Sequence, residues 1–425
     1  MRRLSFAAAA SLCLLLTPPL AQAGAGGGKT YTSGTPSRGA APAVKPASSP
    51  TSTVDCRTSG ASGNPFAACI KGTAPETPTV APIAPAPQPV ATTPAPAPAP
   101  ASATSLLPSL LPAISAWLPS FNLGTGRFLV APTAERPTDS SGGEFRTACD
   151  FAKMARIDPI VFPGSVNQSH LHTFFGNVDV NENSTVDTLL AFGNSTCRGG
   201  IANRSAYWVP TMIDTATGNP VVPDSINVYY KSGIVPGDKL SRGIPQGLRM
   251  VAGSASATAP QSTSETLITR FKCIGGPRDQ NDKYGSAIPN CDLGASVWQE
   301  VFFPQCWDGV NLDSPDHKSH MSYPVMVPDP TSTRGWQMQA CPASHPVILP
   351  AITFNVIYTA RSLNASLKWR LSSDNYDPAQ PGGYSSHADW FNGWRHDVSE
   401  AWFQNCLVAK KDCHSHLLGD WRMIY

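Results

Sequence analysis

Eight cysteines lie after position 148, at Cys149, Cys197, Cys273, Cys291, Cys306, Cys341, Cys406 and Cys413. No two of the chain's cysteines have the Cys-x-x-Cys spacing of a zinc or redox motif, so cross-linking is the role that remains for them. The N-terminus points to the compartment in which cross-links form. Met1-Arg2-Arg3 is a positive n-region, Leu4 to Leu16 an apolar h-region, and Ala21-Gln22-Ala23 a small-residue cleavage site, so residues 1–23 read as a secretory signal peptide with the mature chain starting near Gly24. Pro18 and Pro19 interrupt the segment, which is also too short for a transmembrane anchor. Cys13 falls in this leader, which leaves ten of the eleven cysteines, an even number. Cys56 and Cys69 are expected to pair with each other. The other eight would close the C-terminal part with four bridges, whose connectivity stays open among 105 arrangements.

The chain divides by composition. From Gly24 to about Thr104 it is Ala, Pro, Ser, Thr and Gly, ending in an Ala/Pro alternation over 81–101. Such a tract buries too little apolar surface to offset its chain entropy, so residues 24–124 are expected to form a stalk or linker. Leu106 to Leu123, apolar but broken by Pro108, Pro112 and Pro119, reads as a short helix or turn leading into the domain. The globular domain is placed at 125–425. Charged residues are only 14% of the chain and the net charge is +2, well short of the roughly 25% of an average soluble domain. No basic run occurs, which excludes a nucleic-acid partner. A secreted or periplasmic monomer with no membrane anchor after signal cleavage is the expectation.

Within 125–425 the runs Tyr207 to Ile213, Ser225 to Tyr230, Leu248 to Ala252, Leu267 to Cys273, Val297 to Phe303, Ile352 to Tyr358 and Ser366 to Leu371 are rich in β-branched and aromatic residues. Gly, Pro, Asn or Asp bounds each of them, which is the pattern of strands joined by long loops. One helix is signalled by Asp397 and Glu400 as a capping box, followed by Val398, Ala401, Trp402 and Leu407 at helical spacing. The expected fold is mainly β, a sandwich or jelly-roll-like single domain with long disulfide-linked loops and a few short helices.

Three histidine-bearing clusters carry the candidate chemistry. His170 and His172 form a His-x-His pair, which on an extended segment puts both imidazoles on one face, a usual start for a metal site and equally the pattern of a solvent-facing strand. A Gly/Pro-rich loop brings Asp308, Asp313, Asp316, His317 and His320 together beside Cys306. Its carboxylates suit calcium, although Asx-turns and helix caps are the better account of Asp308 and Asp313. His387 and Asp389 repeat the two-residue spacing on a Gly-rich segment with Tyr384, Trp390 and Trp394, aromatics that would stack on sugar rings if exposed and would pack as core if not. Asp158 either orients an imidazole or starts the Asp-Pro turn. His345, His396, His414 and His416 read as surface or packing residues.

The segments Asp158-Pro159-Ile160-Val161 to Pro163-Gly164, Ser169-His170-x-His172 with Gly176, Tyr207-Trp208-x-Pro210, Cys306-Trp307-Asp308-Gly309, Leu312 to His317 with Ser319-His320 and Tyr323-Pro324, Cys341-Pro342 with His345-Pro346, and His387-x-Asp389 with Asn392-Gly393-Trp394 carry a resemblance. Together they look like a family of secreted bacterial and fungal domains catalogued as a domain of unknown function, over about residues 145–406. The resemblance implies secretion and a shared site around those histidines, gives no reaction, and tilts the expectation toward glycans.

The first functional expectation is therefore a secreted domain acting on extracellular or cell-wall polysaccharide by hydrolysis or elimination. His170, His172, His317, His320, His387, Asp389 and Asp316 would be the catalytic groups, and Tyr384, Trp390 and Trp394 the sugar platform. One divalent metal ion at His170, His172, His317 and His320 is a candidate cofactor. No pair of carboxylates in these motifs resembles that of an ordinary glycosidase. The alternative is a non-catalytic carbohydrate or cell-wall binding module whose polar cluster is structural. Copper chemistry is a third reading, and a triad hydrolase is disfavoured because no Gly-x-Ser-x-Gly elbow occurs.

Overall fold

The computed structural model describes residues 122–232, 240–263, 266–279, 283–334 and 337–425, all within one compact unit, Pro98–Tyr425. The expected signal peptide, the Ala/Pro-rich stretch, the Cys56–Cys69 pairing and residues 106–121 lie outside the described residues.

Twelve strands build the two main sheets: β1 (Thr138–Asp139), β2 (Glu144–Cys149), β3 (Phe151–Ala155), β4 (His172–Gly176), β5 (Ala206–Pro210), β6 (Ser225–Lys231), β7 (Arg249–Gly253), β8 (Thr269–Ile274), β9 (Ser296–Phe302), β10 (Ala351–Thr359), β11 (His387–Phe391) and β12 (Lys411–Cys413). The seven-stranded sheet runs β8-β9-β10-β6-β2-β12-β1 and the five-stranded sheet β7-β11-β5-β4-β3. Every pairing is antiparallel except β2 with β12. Val130–Pro132 pairs with Arg422–Ile424, which ties the two ends of the described domain together.

The period-2 alternation of strands decides which residues meet between the sheets. Ile226, Val228 and Tyr230 of β6, Val297 and Val301 of β9, and Ile352, Phe354, Val356 and Tyr358 of β10 point inward from the larger sheet. Phe175, Tyr207, Val209, Met250, Ala252, Ala388 and Trp390 point inward from the smaller, and all of these belong to one buried cluster. Ring contacts cross the interface, Tyr207 to Phe354 at 5.5 Å and Tyr230 to Trp390 at 6.3 Å. The molecule is thus a β-sandwich.

The outer faces of the two sheets differ. On the seven-stranded sheet they are partly exposed, as the alternating burial of β6 shows. On the five-stranded sheet β4, β5 and β11 are buried at every position. A second apolar cluster of Ile157, Ile160, Phe174, Val180, Leu189, Ala206, Trp208 and Phe391 covers that outer face. Helix α1 (Val186–Ala191) contributes Leu189 to it and is started by a capping box between Thr185 and Thr188. Gly176 ends β4 at a φ of 84°, and a Cβ there would lie 2.2 Å from the Ser205 carbonyl oxygen.

Four disulfides join the eight cysteines in sequence order, Cys149–Cys197, Cys273–Cys291, Cys306–Cys341 and Cys406–Cys413. Three local expectations are corrected. Residues 366–371 do not form one strand, because Ala365–Lys368 is a 3-10 turn and only Trp369–Leu371 is extended. Helix α2 (His396–Trp402) lacks the expected capping box: Arg395 is its N-cap, without a side-chain cap bond. Asp397 is drawn instead into a two-pronged ion pair with Arg395. The helix then widens into a π-helical turn over Phe403–Val408. The expected strand Tyr207 to Ile213 is split into β5 and Met212–Asp214.

Candidate metal centre

Strand alternation turns two short motifs toward one point. In β4, Phe175 enters the inter-sheet core while His172 and Phe174 face outward. In β11, Ala388 and Trp390 enter the core while His387, Asp389 and Phe391 face outward. Strand β5 lies between them, with Pro210 opposite His172 and Trp208 opposite Asp389. His170, just before β4, completes the group. Ring centroids are 4.2 Å apart for His170 and His172, 4.8 Å for His170 and His387, and 5.8 Å for His172 and His387.

Backbone carbonyls fix two of the three tautomers. His172 Nδ1 is 2.9 Å from the Ile157 oxygen and His387 Nδ1 is 2.8 Å from the Ser385 oxygen. A carbonyl can only accept, so each Nδ1 carries the proton and each Nε2 keeps its lone pair. The same arrangement sets the orientation of metal-bound histidines. His170 Nε2 and His387 Nε2 face each other at 3.1 Å. Two nitrogens bound tetrahedrally to one ion at about 2.0 Å would be about 3.3 Å apart. One ligand atom from each of His170, His172 and His387 can be chosen so that all lie within 4.8 Å of one another, and the same holds for Asp158, His172 and Asp389. Donors up to 4.8 Å apart stand wider than this tetrahedral spacing, so closing on one ion asks the side chains to draw together by up to about 1.5 Å.

The strongest indication is what lacks a partner. His172 Nε2 and both carboxylate oxygens of Asp389 are buried without a hydrogen bond, and Asp389 is 1% exposed. His387 Nε2, 4.0 Å away, is too far for a hydrogen bond. Buried polar atoms are nearly always satisfied, and a buried carboxylate without a partner is costly. An ion between His172 and Asp389 would give His172 Nε2 and an oxygen of Asp389 the partner they lack. Asp158 is anchored differently, because one of its oxygens accepts the backbone N–H groups of Ile160 and Val161. It supports the turn, which bears out the Asp-Pro turn reading, whereas the His172 ring is oriented by the Ile157 carbonyl and not by this carboxylate.

Electrostatics follow from the burial. Desolvation lowers His170 to about 4, helped by Arg156. Desolvation also lowers His387 to about 3, with His170 adding to it. His172 is depressed by burial and by its two imidazole neighbours. Asp389 is pushed well above the usual carboxylate range by burial and then by Asp158, and burial raises Asp158 too. The three imidazoles are therefore neutral, as metal ligands must be. A general acid or base works best with a pKa near the operating pH, which these rings lack.

The middle cluster does not join this set. His320 is fully buried, with Nδ1 2.9 Å from Ser314 Oγ and Nε2 2.7 Å from the Arg249 carbonyl, so both nitrogens are used in holding the loop to β7. His317 turns to Asp313, 3.0 Å away, and Asp313 is also bound by Arg249. Asp316 accepts from Ser314 Oγ, Ser319 Oγ and the backbone of Lys318 and Ser319, and these bonds hold it far below the usual carboxylate range. Asp308 accepts from the Val310 and Asn311 backbone. These carboxylates are committed to turns, and no group of metal-ligand spacing among the described residues includes them. The loop touches the cluster through charge: His317 acts on Asp158, and Lys318 on His387 and Asp389.

The aromatics of the third motif are divided. Trp390 and Trp394 are sealed in the core, at 0% and 1% exposure, so neither ring offers a face to a ligand. Tyr384 is half-buried and stacks on Tyr376 at 5.6 Å. Among the remaining histidines, His345 bonds the Ser319 carbonyl, His414 pairs with Glu144 and Asp412, His416 bonds the Arg146 carbonyl, and His396 opens α2 on the surface. The sequence reading passed over the carbonyls of Ile157 and Ser385 and over Arg249. Backbone acceptors leave no residue-type signal, and a single Arg has no motif.

No helix among the described residues is long and apolar enough to cross a membrane. Comparison with curated proteins and with solved structures finds no match. The family model described as "Domain of unknown function (DUF1996)" matches residues 158–394, more than half of the chain, from Asp158 to Trp394 and so across the whole cluster. The chain is therefore a member of the DUF1996 family.

Proposed function

We propose that this is a secreted protein that acts on extracellular or cell-wall polysaccharide by metal-assisted hydrolysis or elimination. One divalent ion would be held by the imidazoles of His170, His172 and His387, with Asp389 beside them. The observation that carries the reading is the convergence of three neutral imidazoles, one of which, His172, also comes within ligand spacing of the orphaned, buried carboxylate of Asp389. Such an ion would activate water or polarise the bond under attack, and the Asp389 carboxylate would help to hold it. Imidazole with carboxylate donors suits zinc, copper, nickel or iron rather than calcium or magnesium. The disulfides fit an oxidising compartment, and the Ala/Pro-rich tract fits a spacer between a surface and the domain.

A second reading is supported by the enclosure of the cluster. His172, His387 and Asp389 are buried and only His170 is part-exposed, and closed sites are more often structural than catalytic. In that case the protein is a carbohydrate-binding module stabilised by its ion. The deciding experiment incubates the zinc-, copper- and metal-free full chain with β-1,3-glucan, chitin, cellulose and pectin and measures new reducing ends and unsaturated products. Products released only by a metal-loaded form, and lost in His170→Ala, establish the first reading. No products from any form with binding retained would leave the second.

A further inference from the structure

The seven-stranded sheet has a feature on its outer face that the metal centre does not use. A cleft of about 440 Å³ opens there over β6, β8, β9 and β10. Because Val297 and Val301 point into the core, Trp298, Glu300 and Phe302 of β9 point outward into this cleft. Tyr229 and Tyr284 line it as well, and both tyrosines and Trp298 are half-buried.

The floor is polar and tightly arranged. Glu300 is 6% exposed and forms a close ion pair with Arg270. Oriented with its nitrogen toward Glu300, the Asn355 amide donates to Glu300 Oε1 at 2.9 Å and to the Phe354 carbonyl at 3.1 Å. The Tyr284 hydroxyl donates to the same carboxylate at 3.4 Å. Arg270 also lies flat over Tyr284, 3.7 Å from the ring centroid. The cleft therefore combines aromatic faces with planar groups that donate and accept at once, on a rigid sheet. Binding sites for small ligands are mostly apolar with a few placed polar groups of this kind.

We propose that this cleft binds an uncharged saccharide chain. A sugar ring has an apolar C–H face that packs on Trp298, Tyr229 or Tyr284, and hydroxyls that both donate to Glu300 and accept from Arg270. The two cations of the lining are ion-paired, Arg270 with Glu300 and Lys231 with Glu144 at 3.7 Å, and the buried Glu300 carboxylate on the floor would repel a uronate. A Pro-rich segment would cover the rings but has few N–H groups to offer the Glu300 carboxylate. The cleft shares no residue with the histidine cluster, and its ligand does not depend on an ion there. It would hold the domain on a polymer with the metal centre on the outer face of the other sheet.

The test uses the full chain and calorimetric titration with cellohexaose, chitohexaose, laminarihexaose, an oligogalacturonate, and a peptide of residues 81–101. At least one of the three uncharged oligosaccharides should bind with a Kd tighter than about 1 mM, and Trp298→Ala and Tyr284→Ala should each weaken it about tenfold or more. Glu300→Gln, which keeps the shape, should also weaken it while leaving thermal unfolding within a few degrees. His387→Ala should bind the sugar as wild type does, so failure of the metal reading would not affect this result. The proposal is overturned if none of the three uncharged sugars binds, if Trp298→Ala binds equally well, or if only the oligogalacturonate or the peptide binds in this cleft.

Discussion

Replacing Asp389 by Asn keeps side-chain volume and removes one charge at the centre of the proposed site. In the ion-free protein both Asp389 oxygens are buried and unbonded, a situation that costs about 1–3 kcal/mol for a polar group and more for a charged one. The sign with pH follows from linkage. The folded pKa of Asp389 lies well above its ordinary value of 3.8, so the folded state binds the proton more tightly than the unfolded state does. Its contribution is intact below the unfolded pKa and is lost as pH rises toward the folded one. The D389N chain has no such proton to lose. In EDTA the two proteins should differ little near pH 4, and D389N should become more stable by about 1–3 kcal/mol near pH 8, or about 2–4 °C in Tm per kcal/mol. The depressed histidines act in the opposite sense, since their stabilisation fades as pH falls below 6.5, but they are common to both proteins and drop out of the difference. With zinc at about a hundred times its Kd, wild type should gain about 2.7 kcal/mol and D389N much less, so most or all of the D389N advantage disappears. Urea unfolding followed by circular dichroism measures both. The reasoning fails if D389N is no more stable than wild type at pH 8 in EDTA, or if its advantage grows toward acid pH.

Three further outcomes are expected. Phe145→Ala removes a fully buried ring stacked on Trp402 at 5.0 Å and should cost about 3–5 kcal/mol in denaturant unfolding. Replacing Cys149 and Cys197 by Ala, a pair separated by 48 residues, should cost about 4 kcal/mol, against about 2.4 kcal/mol for the seven-residue separation of Cys406 and Cys413; equal losses would mean that loop closure is not the main term. His320→Ala should cost about 1–3 kcal/mol by unpairing Ser314 and the Arg249 carbonyl, yet leave bound metal unchanged by elemental analysis.

Strands β6, β8, β9 and β10 of the larger sheet were legible from their β-branched and aromatic runs, as in Ser225 to Lys231 with its strict in-out burial. Strand β2, with the same in-out burial but only one aromatic and no β-branched residue besides Thr147, escaped that reading, as did the short β1 and β12. Strands β4 and β11 were not, although they carry the site. Their outward residues are His172, His387 and Asp389, polar side chains that a covering loop buries, so composition reads as loop where the backbone is extended. The two-residue spacing of His170 with His172 and of His387 with Asp389 was the visible trace of these strands. It correctly placed each pair on one face, but could not tell that a third strand, β5, would bring the two pairs together. The density of Asp and His over 308–320 had a different origin: Asp308 and Asp316 close turns on neighbouring backbone N–H groups. The cleft over Trp298 and Glu300 left one unread signal, an aromatic residue at the solvent-facing positions of an evident strand.

The central claim, that His170, His172 and His387 hold one ion next to Asp389, is tested most directly by metal stoichiometry. Full-length protein, stripped and reloaded with zinc or copper, is passed through a desalting column and analysed for metal per chain, beside His387→Ala, Asp389→Ala and His317→Ala. One ion per wild-type chain, retained in His317→Ala and lost in His387→Ala and Asp389→Ala with their circular dichroism unchanged, is the predicted result. Wild-type protein that keeps no metal, or metal that persists in His387→Ala, would contradict it.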